Sequence, residues 1–341
     1  MRSVFLRPAI GAVALILTAA ALGGCSSTDD AADVDATGVD ATATATSASD
    51  QFPVTIGGLF GDVTVDTQPE RVVALGWGDA ETALALGVQP IGASDWLDFG
   101  GNGVGPWADS LYQSPPKLIA TNEPSIEEVA ALEPDLILDT RASGDRSRYD
   151  ALSGLGVPVV SVPSDGANYV TTWQQQLDIV GKALGLSDKA ADLKSQLQSQ
   201  FDAVRSDNPQ FTGKTVAVGA KFGGTYGAYV TGDGRVDLMT ALGFVNKPEL
   251  DALATGSFYV PISNEQVVAF DADLTVMFPI GAPASSITED PVYAAVPSVR
   301  AGHDVVFDDT TLANAFSSGT TLGLSYALDT AVPRFAEALA R

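Results

Sequence analysis

The chain is poor in metal-binding side chains and in positive charge. One cysteine and one histidine occur in 341 residues, so no intramolecular disulfide is available and zinc sites built from Cys and His are excluded. Lys and Arg number 18 against 42 Asp and Glu, a formal net charge of −24. A surface this acidic repels phosphate backbones, which argues against nucleic-acid binding. No Gly-x-Ser-x-Gly elbow is present, no reactive Cys stands in a catalytic context, and no pair of carboxylates is set up as in a glycosidase. His303, in Ala301–Asp304 before an expected strand, reads as part of a surface turn, and it disfavours import of bare zinc or manganese. The sequence therefore points away from an enzyme and from a resident metal or other cofactor. What it has in quantity is apolar: 45% hydrophobic and 18% charged residues supply full cores, over a length suited to about two domains.

Residues 1–24 carry Arg2 and Arg7 and then an apolar run from Ala9 to Leu22, the layout of a secretory signal peptide. The run is short for a spanning helix of about 20 residues. It ends at Leu22-Gly23-Gly24-Cys25, which resembles the bacterial lipoprotein box, where the cysteine is diacylated and becomes the new N-terminus. Cys25 would thus fix the protein to the extracytoplasmic face of the cell membrane. Residues 26–51, mainly Ser, Thr, Ala and Asp without Lys, Arg or aromatics, complete with Cys25 a disordered tether. Its average reach is about 30 Å. Asp33–Gly38 looks like the start of a calcium loop, but position twelve is Thr44 rather than Glu, which rejects calcium.

From Phe52 the pattern changes. Phe52–Val65, with Gly61-Asp62 inside it, suggests a hairpin. Short apolar runs then alternate with helical patterns: strands at Arg71–Leu75, Pro90–Ser94, Asp135–Leu138 and Val157–Val162, and helices at Asp79–Leu86, Ser125–Leu132 and Tyr149–Leu155. The βα pattern restarts at Thr215–Ala220 and continues through Leu274–Phe278 to Asp304–Phe307. Between the halves lie Tyr169–Leu184 and a second helical stretch with Leu193, Leu197, Phe201 and Val204 at helical spacing. At about 30 Å the second stretch is long enough to join two lobes, although an ordinary surface helix fits the same spacing. The expected fold is α/β: an N-terminal lobe at 52–186, an interdomain helix at 187–208 and a C-terminal lobe at 209–341, each lobe with a mainly parallel sheet flanked by helices.

The two halves echo one another. Ser125–Leu136 and Ser263–Leu274 both fit Ser-x-Glu-[Glu/Gln]-Val-x-Ala-x-x-x-Asp-Leu. In each, Ser and the residue three later form a capping box, which gives Glu128 and Gln266 a local job. Glu127 and Glu265 are not needed for the box. Either they complement the helix macrodipole, or their matched position marks a shared, basic external partner.

These residues also carry a family resemblance. Pro69–Leu75, Ala83–Gly92, Ser125–Leu138, Ile262–Glu265 and Leu322–Asp329 occur in the order and spacing of the cobalamin and ferric-siderophore binding proteins of bacterial ABC importers. The chain from Phe52 onward resembles that iron-complex binding family. The resemblance implies a class III periplasmic-binding-protein fold, two lobes joined by a long helix with little hinge motion. It also implies one glutamate per lobe, Glu127 and Glu265, docking onto arginines of the permease. The second half departs from the first at Phe270-Asp271-Ala272-Asp273.

Ligand contacts do not transfer from the resemblance and are read from chemistry. In open α/β sheets ligands sit beyond the carboxyl ends of strands. In the first lobe the loops there carry Trp77, Trp96 and Trp107, with Asp79 a plausible helix cap after Gly76-Trp77-Gly78. Each Trp is equally compatible with a partly buried core ring. Arg141, Arg146 and Arg148, just before Tyr149, form a local basic patch able to neutralise an anionic chelate, unless Asp145 and Asp150 balance it as a solvated loop. Lys221, Phe222 and Tyr226 could close the pocket from the second lobe, with Arg235 a lesser candidate. The expected guest is a ferric siderophore, its iron held within the chelate and the protein a monomer. Haem or a corrinoid is the alternative within the class, with Tyr149 or Tyr226 available as an axial ligand, and a lipid-anchored envelope scaffold is the alternative outside it.

Overall fold

A computed structural model describes residues 50–166 and 168–341. The signal peptide, Cys25, the rejected calcium loop and the tether as far as residue 49 lie outside the described residues.

The expected hairpin is β1 (Val54–Ile56) paired antiparallel with β2 (Val63–Val65). The first lobe is built on β3 (Val72–Ala74), β4 (Gly92–Ser94), β5 (Lys117–Ile119), β6 (Leu136–Leu138) and β7 (Val159–Val160). They form one parallel sheet in the order β5-β4-β3-β6-β7. The central strands β3 and β6 are buried along their whole length, whereas edge strand β5 exposes Lys117 and Leu118. That is why the central strands read as unbroken apolar runs rather than as an alternation.

The second lobe carries β8 (Thr215–Phe222), β9 (Thr225–Tyr229), β10 (Val245–Asn246), β11 (Tyr259–Ile262), β12 (Leu274–Ile280) and β13 (Asp304–Val306). β10, β8, β12 and β13 pair in parallel, while β9 and β11 extend the sheet antiparallel from the far half of β8. The β8–β9 hairpin turns at Gly223-Gly224, both at positive φ. Gly227 in β9 lets the Tyr259 ring of β11 lie across it, where any Cβ would collide.

The helix Ser187–Asp207 belongs to both cores. Ala190 and Leu193 pack with the β3/β6 cluster, while Leu197, Phe201 and Val204 pack with the β8/β12 cluster. It is therefore a strut and not a surface helix. The C-terminal helix Thr321–Leu339 buries Leu324, Leu328 and Phe335 in the second core, and Leu322 at its start packs against the first lobe.

The repeated motif is explained by its last polar residue. Asp135 accepts the backbone N–H of Glu70 (2.8 Å) and Arg71 (2.9 Å) at the entry to β3. Asp273 accepts the N–H of Thr215 (2.8 Å) at the entry to β8. In each lobe the aspartate clasps the first strand from the end of the repeated segment. The caps are less alike than the sequence implies. Ser263 N donates to Gln266 Oε1 at 3.2 Å, but the segment Asn264–Phe270 winds as a 3₁₀ helix. Ser125 caps the helix Ile126–Ala130 by accepting from Glu128 N, while the Glu128 carboxylate turns away to Lys117 at 2.9 Å.

Candidate ligand-binding cleft

The carboxyl ends of β3, β4 and β6 meet loops that carry the aromatic candidates. Gly78, in the left-handed region (φ 77°), turns the chain from Trp77 into the helix Asp79–Ala85. Trp77 stacks on Trp96 with centroids 4.6 Å apart and on Tyr169 at 4.1 Å, forming a three-ring shelf. Tyr169, absent from the sequence candidates, holds a φ of 57°, a backbone conformation unusual for a bulky side chain. Trp77 Nε1 is buried without a hydrogen-bond partner among the described residues.

Two hollows adjoin at Trp96, at one end of this stack. One, of about 670 Å³, is lined by Trp77, Trp96, Asp95, Asp98, Thr121 and Glu123. The other, of about 580 Å³, shares Trp96 and Asp98 and reaches the second lobe at Arg235, Phe278, Ile280 and Asn314. Each falls in the range of small-molecule sites. Phe222 pairs with Ile280 across β8 and β12 at the rim, and is 62% exposed. A smaller cavity of about 180 Å³ behind Arg141, lined by Thr171, Trp173 and Asp237, is too small for a bulky guest.

The structure separates the basic candidates from the role of a free cationic patch. Arg141 is only 6% exposed and donates to Tyr169 O (3.1 Å) and Ser318 O (2.9 Å), with its guanidinium 5.6 Å from the Trp96 ring. Burial draws its pKa down to about 10, against the pull of Asp233. Arg148 grips both oxygens of Asp139 (3.0 and 2.8 Å) and the carbonyls of Thr121 and Asn122. Arg146 lies on the surface in an i,i+4 pair with Asp150 at 2.7 Å. Arg148 is thus an internal strut and Arg146 a solvated ion pair, which corrects the expectation of an anion-binding loop. Arg235, the lesser candidate, lines the cleft over the ring of Tyr229 (4.1 Å) and bonds Asp233 Oδ2 (2.8 Å) and Ser317 Oγ (3.0 Å).

Four other candidates are also relocated. Trp107 packs between the lobes against Tyr326 (5.3 Å) and donates Nε1 to Glu81 at 2.7 Å, so it forms an interlobe contact. Tyr149 stacks on Phe60 at 4.6 Å and lines neither hollow. Tyr226 has no exposed surface and its hydroxyl bonds Asp290 at 2.9 Å, so it is unavailable as an axial ligand for haem. Lys221 is engaged with Asp290, the Tyr226 hydroxyl and Ser286 O (2.7 Å) beneath the hairpin.

Two buried carboxylates organise the floor. Asp79 does not cap its own helix. It accepts Gly76 N (3.0 Å), Thr140 N (2.9 Å), the Thr140 hydroxyl and Gln176 Nε2 (2.8 Å), tying the ends of β3 and β6 together. Glu81 reaches the other lobe: one oxygen accepts Trp107 Nε1, Gly323 N (3.0 Å) and the Thr320 hydroxyl at the start of the C-terminal helix. Burial raises Asp79 to about 6 and Glu81 to about 7, with these hydrogen bonds acting against the rise.

Glu127 and Glu265 are exposed, one on each lobe. Ser125 Oγ donates to Glu127 at 3.1 Å. Among the described residues no cluster of three or more His, Cys, Asp or Glu is placed to hold a metal, and no helix is long and apolar enough to cross a membrane.

Comparison with known proteins agrees with this architecture. The chain is 25% identical over 281 residues to a probable siderophore-binding lipoprotein, YfiY, of Bacillus subtilis (strain 168), covering 78% of this chain and 82% of that protein. The Fe(3+) dicitrate-binding periplasmic protein FecB of Escherichia coli (strain K12) is 29% identical over 151 residues, 44% of this chain and 47% of that one. A periplasmic solute binding protein from Mycobacterium smegmatis superposes with a TM-score of 0.73 at 28% identity, over 84% of this chain and 99% of its own. Streptococcus pneumoniae PiaA in complex with ferrichrome shares the fold at a TM-score of 0.73 and 24% identity, over 84% and 99% of the two chains. A family model described as periplasmic binding protein matches residues 72–311. Through that match and the two-lobed α/β architecture that accompanies it, the chain belongs to the periplasmic binding protein family.

Proposed function

We propose that this protein is an extracytoplasmic, lipid-anchored solute-binding protein that captures a ferric siderophore and delivers it to an ABC importer. The observation that carries the reading is the pair of adjoining hollows that share Trp96 and Asp98, one lined by Trp77 in the first lobe and the other reaching Arg235 and Phe278 in the second. The similarity to YfiY, a probable siderophore-binding lipoprotein, and to FecB, an Fe(3+) dicitrate-binding protein, supports the substrate class. A chelate satisfies its own iron, so the cleft contributes stacking, hydrogen bonds and shape from a preformed surface. Iron travels inside the guest, the protein has no cofactor of its own, and it acts as a monomeric carrier rather than a catalyst. Glu127 and Glu265 present one carboxylate per lobe to basic residues of the permease, and the lipid on Cys25 keeps the carrier at the membrane.

Intrinsic tryptophan fluorescence titrated with ferric chelates, haem and cobalamin tests the proposal, because two indoles lie in the cleft. Saturable quenching by a ferric siderophore is the expected result. A response confined to haem or cobalamin overturns the substrate assignment, and silence toward all of them favours a scaffold.

A further inference from the structure

The siderophore reading leaves the charge of the chelate open, and the cleft's own charges address it. Among the described residues, the cationic side chains on or behind the hollows are engaged internally. Arg235 is paired with Asp233, and Arg148 with Asp139. Arg141 spends two donors on the carbonyls of Tyr169 and Ser318 and lies in the field of Asp233, Asp79 and Asp237. Lys221 is held by Asp290. The charged groups lining the hollows are Arg235 and three carboxylates, Asp95, Asp98 and Glu123. Asp95 is occupied by the N–H groups of Phe99 and Gly100, both at 2.8 Å. Asp98 and Glu123 are exposed while lining the first hollow. The uncharged lining is mixed: Trp77, Trp96, Phe278 and Ile280 lie beside the polar side chains of Thr121, Asn122, Asn314 and Ser317.

Three hydroxamates balance the charge of Fe³⁺, whereas three catecholates leave a trianion. Resting on the siderophore reading above, we infer that the cleft accepts an uncharged or cationic ferric chelate of the tris-hydroxamate kind and discriminates against a ferric tris-catecholate. A trianion brought onto Trp96 meets the Asp98 and Glu123 carboxylates and one lining guanidinium, Arg235, that is already paired with Asp233, so it sheds its hydration without a free counter-charge among the lining residues. An uncharged complex incurs no such cost, and a pendant ammonium gains from Asp98 and Glu123.

The test is a fluorescence titration of the delipidated mature protein with ferrioxamine B (cationic), ferrichrome (uncharged) and ferric enterobactin (trianionic), at low and at moderate salt. The expected order is ferrioxamine B and ferrichrome at least about 100-fold tighter than ferric enterobactin, with salt weakening ferrioxamine B more than ferrichrome. In D98N/E123Q, with both positions exposed, the preference for ferrioxamine B over ferrichrome falls by about three- to tenfold. Ferric enterobactin binding as tightly as ferrichrome overturns the charge inference and leaves the siderophore reading standing. Absence of binding by all three, with haem or cobalamin binding instead, overturns both. An unchanged preference in D98N/E123Q removes those two carboxylates from ligand selection and overturns that part.

Discussion

The Glu81 carboxylate links the first lobe to the start of the C-terminal helix, and its burial makes that link sensitive to pH. Burial lifts its pKa to about 7 in the folded protein, from an ordinary value of 4.5. A carboxyl group raised on folding binds more protons in the folded state than in the unfolded one, so its contribution to stability is complete below about pH 4.5 and is lost as pH rises through about 7. At about 1.4 kcal/mol per unit of displacement, Glu81 alone removes about 2–3 kcal/mol between pH 5 and pH 8. Asp79, raised from 3.8 to about 6, acts in the same direction and completes its loss at lower pH. In E81Q a neutral amide keeps an oxygen to accept from Trp107, Thr320 and Gly323 at every pH. The variant should therefore unfold at a urea midpoint close to that of the parent at pH 5 and at a distinctly higher one at pH 8. Urea titrations followed by tryptophan fluorescence at half-unit pH intervals give both curves. Parallel curves, with the same slope against pH for parent and variant, would refute the argument that Glu81 is the source.

Removing the upper ring of the shelf with W96A should weaken chelate binding by about 1–3 kcal/mol, read by calorimetry, while the melting temperature of the free protein moves little; retained affinity places the guest elsewhere. E127R/E265R reverses two exposed charges that line neither hollow, so ligand affinity should persist while uptake in cells stops, and a loss of affinity would show that these carboxylates have another role. C25S should leave the protein unlipidated and released from membranes on fractionation; retention without lipid contradicts the anchor.

The strands of the first lobe were legible because burial on both faces leaves continuous apolar runs such as Val72–Ala74 and Leu136–Leu138. The repeated segment was equally plain, and the structure gives its aspartates a common task that no local rule announces, since Asp135 acts on a backbone 64 residues away. The antiparallel pair β9 and β11 was not legible. Its strands include Gly227 and Pro261 and lack the alternation of a half-buried strand. In the cleft, residue type revealed Trp77 and Trp96 but not what would satisfy each charge. Arg141 finds Ser318 at a separation of 177 residues and Glu81 finds Gly323 at 242, so neither partner follows from spacing. Tyr169 escaped notice because only its left-handed backbone turns its ring onto Trp77.

The strut from Ser187 to Asp207 has a consequence for signalling to the transporter. Because one continuous rod is mortared into two separate interiors, neither half can swing widely without tearing its own packing. Were the rod to hold the halves at a fixed separation, loaded and empty states would differ mainly in how the mouth is filled. A transporter that spans both halves would have to sense angstrom-scale changes in their spacing, and stiffness of the rod would set how faithfully occupancy is relayed.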